Sequence, residues 1–548
     1  MEYDVIVIGG GINGCGIARD AAMRGLSAVL IEKDDFGSGT TGASSQMIHG
    51  GARYLLSDVK TTKLSSQDSG YIQKIAPHLL FRIPFIVPVL KKSKRPTWGE
   101  KIYFEATDAY FQLYDRYSVL KNGMPHTRLN LEEALAVEPD LNGERMMGAF
   151  TFDEWGVDVF RLCIHNVLSA QQHGCKVFNH NRVAEIIKQG NRVVGVRTQD
   201  TLNGMQREFR GKIVVNATGP WTPRLAAMAG CTVKLRPGKG VHVGLDRRIS
   251  NYAILAKAID GRDIFVMPYQ NVSFVGTTDD DFFGDPDDIP ILEDEVEYLL
   301  EGIEQVFPRI REARVTHAWA GVRPTLYERG PTEDDLSRDY KIFDHELTES
   351  TPGFLSLAGG KLASYRLMSE HLVDAVVKKL GKGSPCQTHF APLPGAERRV
   401  HAEDLAKQFH VPLFAANRLV YRYGGRAYEI LEMTRSETSL RNVMCQCDPV
   451  LEAELRYVIR NEWARSLEDL KRRTRLSLGP CQGTRCFMMA AQVLGEELSW
   501  KSDQVYHEVK RSMELRWKEK LPVMDGIGLQ QEELMAHIYC NVGNLDRE

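Results

Sequence analysis

The sequence is sparing with the features that mark the extreme classes of protein. No apolar run approaches the roughly 20 residues that span a bilayer, which argues against a membrane-spanning helix. Its 69 Lys and Arg nearly balance 72 Asp and Glu, for a net charge of −3. Nothing global therefore points to nucleic acid, and attraction to an anionic surface must be local. Ten cysteines in 548 residues do not make a disulfide framework. Six of them, Cys15, Cys163, Cys175, Cys231, Cys386 and Cys540, are scattered. The first residues enter an apolar strand with no basic n-region and no cleavage site, so no secretory signal is read. These absences predict a cytoplasmic chain with reduced thiols. Its length predicts two or three domains.

The chain opens with YDVIVIGGGINGCGIARDAAMRGLSAVLIEKDD. Val5–Ile8 reads as a short buried strand of the parallel type. Gly9, Gly11 and Gly14 follow in G-x-G-x-x-G spacing. Ile17, Ala18, Ala21 and Ala22 form the stripe of a helix that Gly25 should end, and Ser27–Ile31 is a second strand leading to Glu32. The first glycine makes a tight turn, the second lets backbone approach a pyrophosphate, and the third lets helix pack on strand. The helix N-terminus favours phosphate, and the acid can bind ribose hydroxyls. The motif alone does not separate FAD from NAD. The next stretch, FGSGTTGASSQMIHGGARYL, supplies Thr40, Thr41 and Ser45 on a loop able to wrap cofactor phosphates.

Six stretches now occur in a characteristic order: the glycine motif with SSQMIHGGARYL, then VNATGPW, KGVHV, AGVRP and GGKLASYR. In this order they resemble the FAD-dependent glycerol-3-phosphate dehydrogenase family, from the first strand to about residue 370. The resemblance implies an α/β chain. It has a Rossmann-like FAD-binding domain of the glutathione-reductase or amine-oxidase type, an antiparallel β substrate-capping domain and a helical C-terminal domain. Residues 1–80 would begin the FAD domain and 151–230 and 331–385 would return to it. Residues 81–150 and 231–330 would form the cap, with strands expected through roughly 80–110 and 230–330. Thr218 and Gly219 would join the FAD site. Gly359, Gly360, Lys361 and Leu362 would approach the flavin ring at a helix N-terminus. Ala363 stands where the family commonly carries a hydroxyl residue, with Ser364 beside it.

The implied substrate is sn-glycerol 3-phosphate, oxidised to dihydroxyacetone phosphate by hydride transfer to flavin N5. Arg53, Tyr54 and Lys361 are candidates for its phosphate. His49 and His242 are candidates for the base, and Arg323 could stabilise a developing alkoxide. An amine or amino-acid oxidoreductase on the same fold is the competing enzyme reading. A non-catalytic assembly or sensor subunit is a third.

LLFRIPFIVPVLKKSKRPTWGEKIYF places an apolar run against Lys91, Lys92, Lys94, Arg95 and Trp98. It reads either as peripheral docking on the anionic inner face of the cell membrane or as a buried strand and a solvated basic loop. Family members are commonly membrane-associated and feed quinone directly or through electron-transfer subunits.

The remaining four cysteines crowd together beyond a Pro/Gly-rich link near residue 385. Cys445 and Cys447 form C-x-C, and Cys481 and Cys486 form C-x-x-x-x-C, with two helical stretches between them. Four thiolates brought together make a metal site. Zinc knuckles favour C-x₂₋₄-C, which the first pair fits poorly. The spacing resembles bacterioferritin-associated-ferredoxin-like [2Fe–2S] domains, placed at about 440–500 within a helical region 386–548. This pairing of domains resembles the large catalytic chain of the anaerobic members of the dehydrogenase family. Zinc and free thiols are the alternatives.

Overall fold

The computed structural model describes residues 2–52, 55–56, 58–92, 95–332 and 336–542. Two sheets and a helical C-terminal region organise them. The first sheet runs Tyr340–Asp344, Phe354–Gly359, Gln206–Asn216, Glu2–Ile8, Ala28–Ile31, Lys176–Phe178. All neighbours from Phe354–Gly359 onward are parallel. Alternation explains why these strands are apolar throughout. Val5, Val7 and Leu30 pack under helix Ile12–Met23, while Ile6, Ile8 and Val29 pack on the opposite face. The sheet's parallel strands place the turn after Ile8 next to Ala217, because Ile8 pairs with Asn216.

The second sheet is antiparallel except where Ala253–Lys257 pairs with Leu80–Leu90. Its strands Gly238–Leu245 and Val315–Arg323 lie side by side, with His242 opposite Trp319 and Gly238 opposite Arg323. The hairpin Asp263–Tyr269 and Val272–Gly276 turns at Gln270–Asn271, as the alternation predicts. Strand Met146–Val157 belongs to this sheet over its whole length, past the predicted boundary at 150.

One predicted strand region is corrected. Trp98–Ser118 is a helix. Its start is a capping box: Thr97 Oγ1 accepts from Glu100 N at 3.2 Å, and Glu100 Oε2 accepts from Thr97 N at 2.6 Å. The apolar run before it is an inner strand, bonded to Met146–Val157 over eleven register pairs. What faces outward is the helix, with Trp98 80 % and Ile102 46 % exposed. Lys94 lies outside the described residues. No helix among the described residues is long and apolar enough to cross a membrane.

The C-terminal region is helical around its own core of Leu419, Ile430, Leu455, Val458, Leu470 and Leu494. Charged side chains seal it to the first domain. Arg161 holds Glu462 at 2.5 Å and Arg473 holds Asp35 at 2.5 Å, all four side chains fully buried. Arg422 pairs with Asp158, Arg472 reaches Asp35 at 2.7 Å, and His180 Nε2 lies 2.9 Å from Asp469. A buried pair is a weak source of net stability, but an orphaned member is costly. Glu462→Gln is therefore expected to destabilise the holoprotein by about 3–5 kcal/mol, read as a lower urea midpoint. An unchanged midpoint would contradict this role for the seam.

Candidate active site

A cavity of about 1580 Å³ is lined by the first sheet's loops, the second sheet and the C-terminal helices. Its floor begins at the glycine turn. Gly9 has φ +104°, and a Cβ there would lie 2.6 Å from Ala217 O. A Cβ on Gly14 would lie 1.7 Å from Gly9 O, so the helix can approach the strand only with glycine at that position. The helix N-terminus, capped at Gly11 without a side-chain bond, faces the loop after Glu32; Thr41 Oγ1 accepts from Ile12 N at 3.1 Å. Glu32 closes the turn by accepting from Gly10 N at 2.5 Å and Asp34 N at 2.8 Å. Burial pushes its carboxyl up to about 7 despite these donors.

Gly9, Gly11, Glu32, Thr40, Thr41, Ser45, His49, Thr218, Gly219, His242, Arg323, Gly359, Gly360, Lys361 and Leu362 all line this cavity. Gly14 is buried in helix Ile12–Met23 and does not line the cavity. Arg53 and Tyr54 lie outside the described residues. Thr40 Oγ1 donates to Val322 O at 2.6 Å, tying the hydroxyl loop to the second sheet. Gly219, Gly359 and Gly360 all have positive φ, so glycine permits both turns that line the cavity here, one at Gly219 and one at Gly359–Gly360. Ser364 does not take up the place of the missing hydroxyl at Ala363. Its Oγ lies 3.1 Å from Ser65 Oγ, on the helix behind.

His242 is 2 % exposed, stacks on Trp319 at 5.2 Å between ring centroids, and lies 2.9 Å from Ser45 Oγ. Burial and the neighbouring Arg323 push it down to about 3, so it is neutral at ordinary pH. Arg323 is fixed in turn. It donates to Asp279 Oδ1 at 2.8 Å, Thr278 O at 3.1 Å and Thr277 Oγ1 at 3.2 Å. Asp279 also accepts from Arg338 at 2.6 Å. The glycines of GKGVHV make room for this pair. A Cβ on Gly240 would lie 2.6 Å from Arg323 Nη2, and one on Gly238 2.9 Å from Asp279 Oδ1.

Sequence reasoning missed Asp279, Arg338 and Trp221. Asp279 follows the strand in FVGTTDDD and Trp221 ends VNATGPW, so both sit at the edge of a legible stretch. Arg338 has no motif to announce it. Trp221 Nε1 and His242 Nδ1, both on the cavity wall, are buried without a hydrogen-bond partner in the protein. Together with the glycine turn and helix terminus they fit a large, polar, phosphate-bearing cofactor.

The four clustered cysteines come together at a second place. Val443–Cys445 and Val450–Leu451 form a hairpin with Cys447 in its turn. Cys486 caps helix Phe487–Leu498. Cys447 Sγ lies 3.5 Å from Cys481 Sγ, and the Cys445 thiol shares a hydrogen bond with that of Cys486, all four cysteines being free thiols. That bond lowers the Cys445 thiol to about 6 and raises Cys486. No three of these sulfurs lie within 4.8 Å of one another among the described residues. Gly479 permits the approach, since a Cβ there would lie 2.2 Å from Cys447 Cβ. Asn271, at the tip of the second sheet's hairpin, donates to Cys447 O at 3.1 Å.

Comparison with known proteins gives two family matches: "FAD dependent oxidoreductase" over residues 4–366 and "C-terminal domain of alpha-glycerophosphate oxidase" over residues 386–505. The second match spans the cysteine stretches. The chain is 32 % identical to a subunit of the anaerobic glycerol-3-phosphate dehydrogenase of Escherichia coli K12, covering 100 % of this chain and 98 % of that one. It is 31 % identical to glycerol-3-phosphate dehydrogenase 2 of Mycobacterium tuberculosis H37Rv, covering 93 % and 88 %. The solved glycerol-3-phosphate dehydrogenase of Bacillus halodurans, complexed with FAD, superposes with a TM-score of 0.77 at 25 % identity, covering 96 % of each chain.

The state of His242 has a consequence for stability. Its folded value of about 3 lies below the ordinary histidine value of about 6.5. Between the two, the unfolded chain binds the extra proton, so stability falls as pH falls through this window. The slope is at most about 1.4 kcal/mol per pH unit for one group. His242→Gln is expected to flatten the fall in urea midpoint between pH 6.5 and 4; an unchanged slope would contradict a neutral, buried ring.

Proposed function

This chain belongs to the FAD-dependent glycerol-3-phosphate dehydrogenase family, and from that premise we propose that it oxidises sn-glycerol 3-phosphate to dihydroxyacetone phosphate. The observation that carries the reading is the meeting, in one cavity, of a dinucleotide turn with His49, His242, Arg323 and Lys361. Gly9, Gly11, Glu32, Thr40, Thr41, Ser45, Thr218, Gly219 and the Gly359–Leu362 turn would hold FAD. FAD, when bound, supplies the two-electron acceptance that turning a secondary alcohol into a ketone requires.

The protein's own part is binding, charge and one proton. Lys361, with Arg53 and Tyr54, is the phosphate clamp. Arg323, held in a fixed orientation by Asp279, stabilises negative charge on the substrate oxygen as its proton leaves. Two histidines compete for that proton. His242 is a poor acceptor, because burial and Arg323 disfavour its charged form. His49 is half-buried on the cavity wall and takes the proton. His242 instead orients Ser45.

The four cysteines would hold a [2Fe–2S] centre. Zinc–thiolate bonds of about 2.3 Å in a tetrahedron bring all six sulfur pairs to about 3.8 Å. Two close pairs set apart suit two metal ions, each taking two thiolates. Such a centre, when bound, supplies one-electron transfer. The cysteine region is then the side from which electrons leave toward a protein partner or a quinone-type acceptor. The E. coli relative's name marks it as one subunit among others.

The test is anaerobic bleaching of the flavin. Glycerol 3-phosphate is expected to bleach it, whereas sarcosine and proline leave it oxidised. His49→Gln is expected to slow bleaching by about 10²–10⁴-fold, the range for losing a general base, and His242→Gln by much less. Bleaching by the amines alone would overturn the substrate. Equal rates for His49→Gln and wild type would overturn the base.

A further inference from the structure

A buried polar network behind the cavity has no part in the roles given so far. Lys121 is fully buried at the end of the short turn that follows helix Trp98–Ser118. Its ammonium has three donors, and three acceptors meet it: Asp153 O at 2.6 Å, Glu154 Oε1 at 2.7 Å and Tyr114 Oη at 3.1 Å. Tyr114 donates to the same Glu154 oxygen at 2.6 Å. The other carboxylate oxygen, Oε2, accepts from the backbone N–H of Gly50 at 3.2 Å. Glu154 lines the cavity from the second sheet, whereas Gly50 follows His49 on the loop of the first domain.

The loop is held along its length by the same elements. Val157 N donates to Gln46 O and Ile48 N donates to Trp155 O, each at 2.9 Å. Ser69 Oγ donates to Ile48 O at 2.8 Å, and the Tyr110 hydroxyl donates to Ala52 O. Both glycines of IHGGARYL are needed for this fit. A Cβ on Gly50 would lie 2.4 Å from Ser66 Oγ and 2.7 Å from the Tyr114 hydroxyl, and Gly51 has φ +86°. The turn therefore presses its backbone onto Tyr114 and Glu154, and His49 is carried on the side that lines the cavity.

We propose that Lys121, Tyr114 and Glu154 are positioning residues that clamp the His49–Ala52 turn against the second sheet. The clamp rests on the dehydrogenase reading for its effect on turnover, but not for its effect on the loop. Without Lys121, the Glu154 charge would be buried and unpaired, so the three residues act as a unit. The clamp couples the capping sheet and its exposed helix to the proton-accepting side chain of the other domain.

The experiment compares Glu154→Gln and Tyr114→Phe with wild type as FAD-loaded holoproteins. The phenylalanine variant keeps the ring and carries the test if the glutamine variant does not fold. Amide hydrogen exchange in peptides covering 46–52 is expected to accelerate by about tenfold or more, with strand Leu80–Leu90 unchanged. Flavin bleaching by saturating glycerol 3-phosphate is expected to slow by about 10- to 100-fold, the scale of a misplaced catalytic group. Wild-type exchange in both variants would overturn the clamp. Faster exchange with wild-type bleaching would overturn its role in positioning His49. A wild-type flavin that glycerol 3-phosphate fails to bleach would overturn the proposed substrate, and the exchange result would still decide whether the clamp exists.

Discussion

The carboxylate–guanidinium seam between the first domain and the C-terminal helices is the interaction on which the rest depends. Asp35 stands three residues after Glu32, on the same loop that follows the second strand. Arg472 and Arg473 grip it from the C-terminal side. Arg472, Glu468 and Ser466 in turn line the cavity that the glycine turn opens. The cofactor loop and the C-terminal helices are therefore one packed unit. Fully buried pairs such as Arg161–Glu462 tolerate little displacement, because moving either charge leaves the other desolvated and alone. This fixes the cysteine hairpin relative to the cavity. The hairpin of the second sheet adds a second tether through Asn271 and Cys447, while Arg475 hydrogen-bonds Asp448 at 3.1 Å and lies over the Tyr269 ring.

The same logic of fixed charge runs through the cavity. Arg323 is locked by Asp279, His242 is kept neutral by burial beside Arg323, and Glu154 is matched by Lys121. Arg323 and Glu154 thus each have their orientation set by an oppositely charged side chain. Preorganised groups of this kind stabilise developing charge without reorganising during the reaction.

Much of this was legible in the sequence because the signals were local. The strand–turn–helix opening is written in consecutive residues, and Gly9 and Gly14 in it leave no room for a Cβ. The returning turns at Thr218 and Gly359 follow apolar strands directly, and the cysteine pairs are dense against a sparse background. What was missed has partners far away. Asp279 and Arg338 are 59 residues apart, and Lys121 meets Glu154 across two elements. Neither has a periodicity or motif to report it. Helix Trp98–Ser118 reads as strand because an apolar strand and exposed aromatic residues run together. Its T-x-x-E capping box is the local cue that distinguishes them. The hydroxyl of Ser364 could not be placed from adjacency alone, since one residue along the 3₁₀ turn Leu362–Ser364 rotates a side chain by about 120°.

The proposed function joins an alcohol-oxidising cavity to a two-metal thiolate centre within one chain. The most direct measurement is an anaerobic titration of the purified protein with glycerol 3-phosphate, followed by absorbance and by low-temperature electron paramagnetic resonance. Wild type should bleach its flavin and develop the signal of a one-electron-reduced [2Fe–2S] centre. The double variant Cys445→Ser, Cys481→Ser should bleach and develop none. A wild-type protein that holds zinc at the four cysteines, or whose flavin bleaches while its iron centre stays oxidised, would contradict the claim.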